Sequence, residues 1–199
     1  MILNSRNLSN ICVVDVETTG PDVFKHDVLY IYMAPLIGTG PELELYIKYE
    51  DKELLWGSVA SRYSKSYKDS WDLNAVDYRR AWSKFVDFID TSFESSNMVF
   101  CGHNVGFDFS FLKKLAHLNN SEMPRKVSHR SLDVHSILLY LNIKGILPKS
   151  AVSSRGSIDY FKLNRHSKTR HDAKDDVYLT REVLMKLLKI DELALNPSQ

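Results

Sequence analysis

Apolar residues along the chain fall into short continuous runs in the first quarter and into periodic stripes later. The runs "ICVVDVE" (11–17), "VLYIYMAPL" (28–36) and "ELELYIKY" (42–49), the last alternating Leu43, Leu45 and Ile47, predict three strands in a meander with the first strand central. Residues 75–93 place Trp82, Phe85, Ile89 and Phe93 on one helical face. "MVFCG" (98–102) predicts another strand, and helical patterns recur at 106–118, 133–142, 157–163 and 172–189. In the last of these, Asp172 is placed to cap the helix, and Val177, Leu184, Leu187 and Leu188 form its buried stripe. Strands first and alternating elements afterwards predict an α/β fold with a mixed sheet.

No Pro/Gly/Ser-rich linker or internal repeat divides the 199 residues, and 44% hydrophobic content suffices for one core, so residues 1–199 are expected to form a single domain. The segment "MILNSRNLSN" lacks the apolar core of a signal peptide, and no window approaches 18 uncharged apolar residues. No membrane association and a cytoplasmic location are therefore expected. Cys12 and Cys101 sit in apolar runs, where small buried thiols are expected rather than a disulfide or metal pair.

Net charge is +1, but it is unevenly spread: residues 125–174 carry 11 Lys or Arg against Asp133, Asp159 and Asp172, so this segment is +8 and the remainder −7. Such asymmetry suits a polyanion-binding face beside a carboxylate site, and equally a solvated basic surface.

The first strand run ends on Asp15 and Glu17, which share a face about 7 Å apart along the chain. Composition alone produces about 0.7 such Asp-x-Glu pair, and Asp51 with Glu53 is a second instance, which reads as the solvated first turn of a helix. Asp108, in "CGHNVGFDFSFL" (101–112), falls at a strand-to-helix junction, where α/β folds collect ligands; an ordinary first-turn acid would occupy the same position. In "HDAKDDVYLT" (171–180), His171 precedes a helix and Asp176 lies one turn inside it.

Taken together, "DVETTG", "HNVGFDFSFL" and "HDAKDDVYLT" resemble the three motifs of the DEDDh, or DnaQ-like, 3′-to-5′ exonucleases of the ribonuclease H-like superfamily, over residues 11 to about 188. The resemblance implies a ribonuclease H-like mixed central sheet flanked by helices. It aligns the four family carboxylates with Asp15, Glu17, Asp108 and Asp176 and the family histidine with His171. The tyrosine subclass would need Tyr where Asp172 stands, so the chain resembles the histidine type. Where the family often carries "I-I-E-I-A" after the first motif, this chain has "LYIYMAPL", without that acid.

The resemblance implies two divalent cations, Mg²⁺ or Mn²⁺, as all-oxygen donors favour. Asp15, Glu17 and Asp176 would hold the ion that activates water; Asp15 and Asp108 would hold the other, and His171 would accept the water's proton. Thr18, Thr19, His103 and Phe107 are expected at the terminal nucleotide, and Arg165, Lys168 and Arg170 on phosphates further along the strand. Trp56, Tyr63, Tyr67 and Trp71, interleaved with Arg62, Lys65 and Lys68, have the composition either of a single-strand stacking platform or of a helix burying its aromatics.

The expected partner is nucleic acid with a free 3′ end, with single-stranded DNA favoured. "SLDVHSIL" at 131–138 is closer to oligoribonuclease and so keeps an RNA substrate open. A non-catalytic nucleic-acid-binding or polymerase-associated module is the rival from another class. Self-association as a homodimer and docking to a polymerase complex are both compatible with the sequence.

Overall fold

The computed structural model describes residues 8–60, 68–93, 97–165 and 172–195. The elements in chain order are β1 (Ile11–Thr18), β2 (Val28–Pro35), β3 (Leu43–Lys48), α1 (Lys68–Asn74), β4 (Val76–Asp77), α2 (Tyr78–Ser92), β5 (Met98–Gly102), α3 (Val105–Leu118), β6 (Val127–Asp133), α4 (Val134–Ile143), a 3-10 turn (Lys149–Ala151), α5 (Ser154–Tyr160) and α6 (Ala173–Leu195). They build an α/β fold around one mixed sheet of order β4-β3-β2-β1-β5-β6.

β1 to β3 form the expected antiparallel meander, while β5 pairs parallel to β1 and β6 parallel to β5. β1 therefore lies in the interior of the sheet. Its Cys12, Val14 and Val16 join Ile31, Met33, Phe85, Ile89, Phe100, Phe111 and Leu112 in a core under α2 and α3. The opposite face carries Val13, Tyr30, Tyr32 and Ala34 against Val134, Leu138, Val177 and Leu184 of α4 and α6. Because both faces are covered, all eight residues of β2 are buried, which accounts for a continuous apolar run rather than an alternating one. Cys12 and Cys101 are buried free thiols.

Helix boundaries differ from the sequence pattern where local polar groups intervene. The expected helix at 157–163 runs over 154–160 instead, because Ser153 accepts a hydrogen bond from the Gly156 N–H (3.0 Å) and Lys162, at φ +56°, cannot continue it. The expected helix at 75–93 begins at Tyr78: Val76 and Asp77 pair with β3, and Asp77 caps α2 by accepting from Arg79 N–H. β6 was not expected, since Ser128, His129, Arg130 and Ser131 break its apolar pattern at the sheet edge. The stretch around Asp51 and Glu53 is not helical; Asp51 instead accepts from Arg79 (2.7 Å) and from the Tyr78 hydroxyl (3.0 Å). Among the described residues, no helix is long and apolar enough to cross a membrane.

Candidate functional site

Side chains on β1 alternate, so Val13, Asp15 and Glu17 project from the sheet face that α6 covers. The first two of these positions stand opposite Ala34 and Tyr32 of β2, and Glu17 opposite Tyr30. α6 begins where its Asp172 carboxylate accepts the Lys174 N–H (3.1 Å), a capping contact that fixes the first turn and sets Asp176 one turn along. Asp15, Glu17 and Asp176 thereby offer carboxylate oxygens that all lie within 4.8 Å of one another.

Asp108 enters from the other side of the strand end. It lies in the first turn of α3, after Asn104 reverses the chain in the left-handed conformation (φ 67°). Its buried Oδ1 accepts the Val16 N–H at 3.0 Å, so the residue is bound to the strand rather than merely facing the helix dipole. Four carboxyl groups thus converge. Burial, then the charges of Asp108, Asp176, Glu17 and Asp172, raise the Asp15 carboxyl well above the carboxylate range. Burial, then Asp176, Asp172 and Asp108, push Glu17 up to about 8. Burial pushes Asp108 up to about 8 against the opposing hydrogen bond from Val16.

This donor set fits a divalent cation. An ion with oxygens at about 2.1 Å keeps its ligand oxygens within about 4.2 Å of one another, so the three carboxylates need to close by only a few tenths of an ångström. The carboxylate oxygens that the described residues offer here suit a hard cation.

The acids stand where two clefts of about 550 Å³ each meet. Asp15, His103 and Asp176 line both. The first cleft continues along Glu17, Thr18, Phe107, Asp108 and the Gly57–Ala60 stretch; the second runs along Ser154, Arg155, Ile158, Leu163 and Arg165. Phe107 leans on Phe111 with ring centroids 4.9 Å apart. His103 packs edge-on against His135 (5.2 Å), and burial, then His135, lowers its pKa, so the ring is neutral at neutral pH.

The remaining expected residues divide. Thr18 lies in the first cleft, its hydroxyl donating to Gly20 O at 2.8 Å. Thr19 lies behind the wall: it is fully buried, its hydroxyl accepts the Asp27 N–H (3.0 Å), its own N–H donates to Asp27 O, and its carbonyl accepts the Gly57 N–H (2.7 Å). Thr19 therefore shapes the turn and has no backbone donor left for a ligand. Arg165 reaches the acids, with Nη1 at 3.1 Å from Asp176 Oδ1 and 3.5 Å from Asp175 Oδ2. His171, Lys168 and Arg170 lie outside the described residues, as do Arg62, Tyr63, Lys65 and Tyr67. Trp71 is tied to the sheet, donating Nε1–H to Ile47 O at 2.8 Å, whereas Trp56 is exposed.

No local pattern marks the cleft wall at 57–60. That wall is held by contacts between distant segments. Besides the Gly57–Thr19 hydrogen bond, the buried Asp27 carboxylate binds Lys52 (2.6 Å), from the stretch leading into the wall, and Lys114 (3.0 Å) of α3.

No protein-family model and no curated sequence matches the chain. Solved structures do match it. Exonuclease I with product bound superposes with a TM-score of 0.70 at 14% identity, covering 90% of this chain and 43% of that one. E. coli exonuclease I in complex with a dT13 oligonucleotide gives 0.66 at 15%, covering 89% and 40%. The zinc-bound form of the E. coli exonuclease I complex with single-stranded DNA gives 0.69 at 17%, covering 91% and 40%. The chain thus spans less than half the length of the exonuclease I chains it matches. At such low identity the likeness is one of fold: a six-stranded mixed sheet flanked by helices.

Proposed function

We propose that the protein is a divalent-metal-dependent 3′-to-5′ exonuclease of the DEDDh type, releasing nucleoside monophosphates from nucleic-acid 3′ ends, with single-stranded DNA favoured. The observation that carries this reading is the convergence of Asp15, Glu17 and Asp176, oxygens within 4.8 Å, at the joint of two clefts, with Asp108 alongside. The fold likeness to exonuclease I, including complexes with single-stranded oligonucleotides, supports it.

Bound Mg²⁺ or Mn²⁺ ions would supply Lewis-acid polarisation of the scissile phosphate and a water of lowered pKa. Asp15, Glu17 and Asp176 would hold one ion, and Asp15 with Asp108 the other. The raised pKa values of Asp15, Glu17 and Asp108 mean that these three residues shed protons as they take up a cation. His171 would take the proton of the attacking water at neutral pH. Phe107 would pack on the terminal base, and the neutral His103 would accept or donate a hydrogen bond at its sugar. Thr18, at the strand end beside Glu17, would meet the terminal 3′ hydroxyl. All four carboxylate positions and His171 are filled, which weighs against a catalytically silent module.

Digestion of matched 3′-labelled and 5′-labelled DNA and RNA strands with Mg²⁺ tests the reading. Label should leave the 3′-labelled strand at once as mononucleotide, while the 5′-labelled strand shortens as a ladder. Cutting of a covalently closed circle, or an Asp15→Asn variant that still turns over, would overturn it.

A further inference from the structure

Arg165 sits in a place that a phosphate-binding residue would not be expected to occupy in the free protein. Its guanidinium, on the wall of the second cleft, is held at the inner end by Asp176 Oδ1 at 3.1 Å, and this carboxylate is one of the three that converge. The buried Asp175 carboxylate lies 3.5 Å from the same nitrogen. A divalent ion on Asp176 would lie about 2.1 Å from its oxygen, which puts a double positive charge within about 5.5 Å of a permanent single one. The two cations therefore compete for the same acid.

We propose that Arg165 is a displaceable counter-cation: it neutralises Asp176 in the metal-free protein and, once a divalent ion takes that carboxylate, turns into the second cleft to bind a phosphate of the nucleic-acid strand. The cleft suits that ligand. Arg155 lies on its wall, paired only loosely with Asp159 at 3.7 Å and largely exposed, and Ser154 and Thr180 add hydroxyls. Arg165 is itself about one-third exposed, and the described chain around it is irregular rather than helical, so the side chain can swing without unpacking an element. Guanidinium groups bind carboxylates and phosphates with the same planar fork, so the exchange replaces one charged partner by another of matching shape. Metal loading and strand binding become coupled through one side chain.

The inference rests on the metal-dependent reading above, and its test separates the two. Mn²⁺ binding is followed directly by loss of the free-ion paramagnetic resonance signal, in the parent, Arg165→Gln, Arg165→Lys and Asp15→Asn proteins. Affinity for an oligonucleotide is measured with Ca²⁺ present over a range of salt. The Gln variant should bind Mn²⁺ about fivefold or more tightly than the parent and the oligonucleotide more weakly, with a log–log salt slope smaller by about 0.7, one phosphate contact. The Lys variant should fall between for Mn²⁺ and keep the parental slope, and it serves if the Gln variant does not fold. A merely structural arginine would weaken both kinds of binding or neither, and either result overturns the proposal. Tighter Mn²⁺ binding with an unchanged slope overturns it too, since the same guanidinium must serve both partners. A parent that binds no more Mn²⁺ than Asp15→Asn would remove the metal reading and this inference with it.

Discussion

The N–H of Val16 donates to Oδ1 of Asp108 at 3.0 Å, joining two residues 92 positions apart. This bond sets the first turn of α3 against the end of β1. It gives a buried carboxylate a partner that is neither cation nor water, and it holds Asp108 beside Asp15 while both are short of positive charge.

Replacement of Asp108 should therefore separate stability from chemistry. Asp108→Asn keeps an oxygen to accept from Val16 and removes an acid from a crowded site; its thermal midpoint in EDTA should equal or exceed that of the parent. Asp108→Ala strands a buried N–H, at a cost of about 1–3 kcal/mol, and should melt several degrees lower. Both should lose Mg²⁺-dependent hydrolysis. Differential scanning calorimetry in EDTA checks the order, and equal melting of the two variants would contradict the role given to the bond.

The raised acids fix a sign for the pH dependence of the metal-free protein. Asp108 and Glu17 titrate at about 8 in the folded chain, against ordinary values of 3.8 and 4.5. Between roughly pH 4 and 8 the folded state thus binds more protons than the unfolded state, and stability falls as pH rises. His103, whose pKa is lowered by burial and then by His135, works in the opposite direction below about 6.5. Comparison of Glu17→Gln with the parent isolates the acid contribution: in EDTA the variant should lose less stability between pH 5 and 8. Added Mn²⁺ should raise the parent's midpoint more at pH 8 than at pH 5.

Asp27 offers a stability prediction away from the acids. Its buried carboxylate joins Lys52 and Lys114, and thereby the β1–β2 turn, the stretch leading to the cleft wall, and α3. Removing one partner of a buried ion pair costs roughly 3–5 kcal/mol; both lysines here are partly solvated, so Asp27→Ala should cost about 2–4 kcal/mol. For a chain of this size that is a fall on the order of 10 °C in melting temperature. Lys52→Met, which leaves Lys114 in place, should cost clearly less, and a reversed order in thermal unfolding would dismiss Asp27 as the common anchor.

How much of this was legible in the sequence depends on how local each feature is. β1 announces itself because Val13, Val14 and Val16 form an apolar run into which Asp15 and Glu17 are set, and α6 because Val177, Leu184 and Leu187 repeat at helical spacing; all of these apolar residues are buried as expected. β6 carries no such signal because an edge strand can expose Arg130 and Ser131, so no alternation survives. The site shows the same division. Asp15, Glu17, Asp108 and Asp176 are readable from motifs, but the grip of Arg165 on Asp176 and the three-way joint at Asp27 are set by chain folding over long separations. Thr19 shows the limit from the other side: its place in the motif suggested a ligand contact, whereas its hydrogen bonds are spent on Asp27 and Gly57.

Two glycines beside the clefts should respond differently to the same added methyl group. At Gly20 a Cβ would come within 2.5 Å of the His26 ring, a side chain at the rim of the turn. At Gly156 it would come within 1.8 Å of the Ser150 carbonyl oxygen, which belongs to the backbone of the 3-10 turn beneath α5. A ring can rotate away at the cost of its contact with the Asp22 N–H (3.0 Å), whereas a carbonyl moves only with its peptide. Gly20→Ala should therefore cost on the order of 1 kcal/mol, the scale of one lost hydrogen bond. Gly156→Ala should cost several times more, because it must push α5 off the turn it packs against. A double-mutant cycle is the sharper check: His26→Ala should rescue most of the Gly20→Ala loss, because it removes the atoms in the way. If chemical denaturation shows the two losses simply adding, the clash with His26 is not what makes Gly20 necessary.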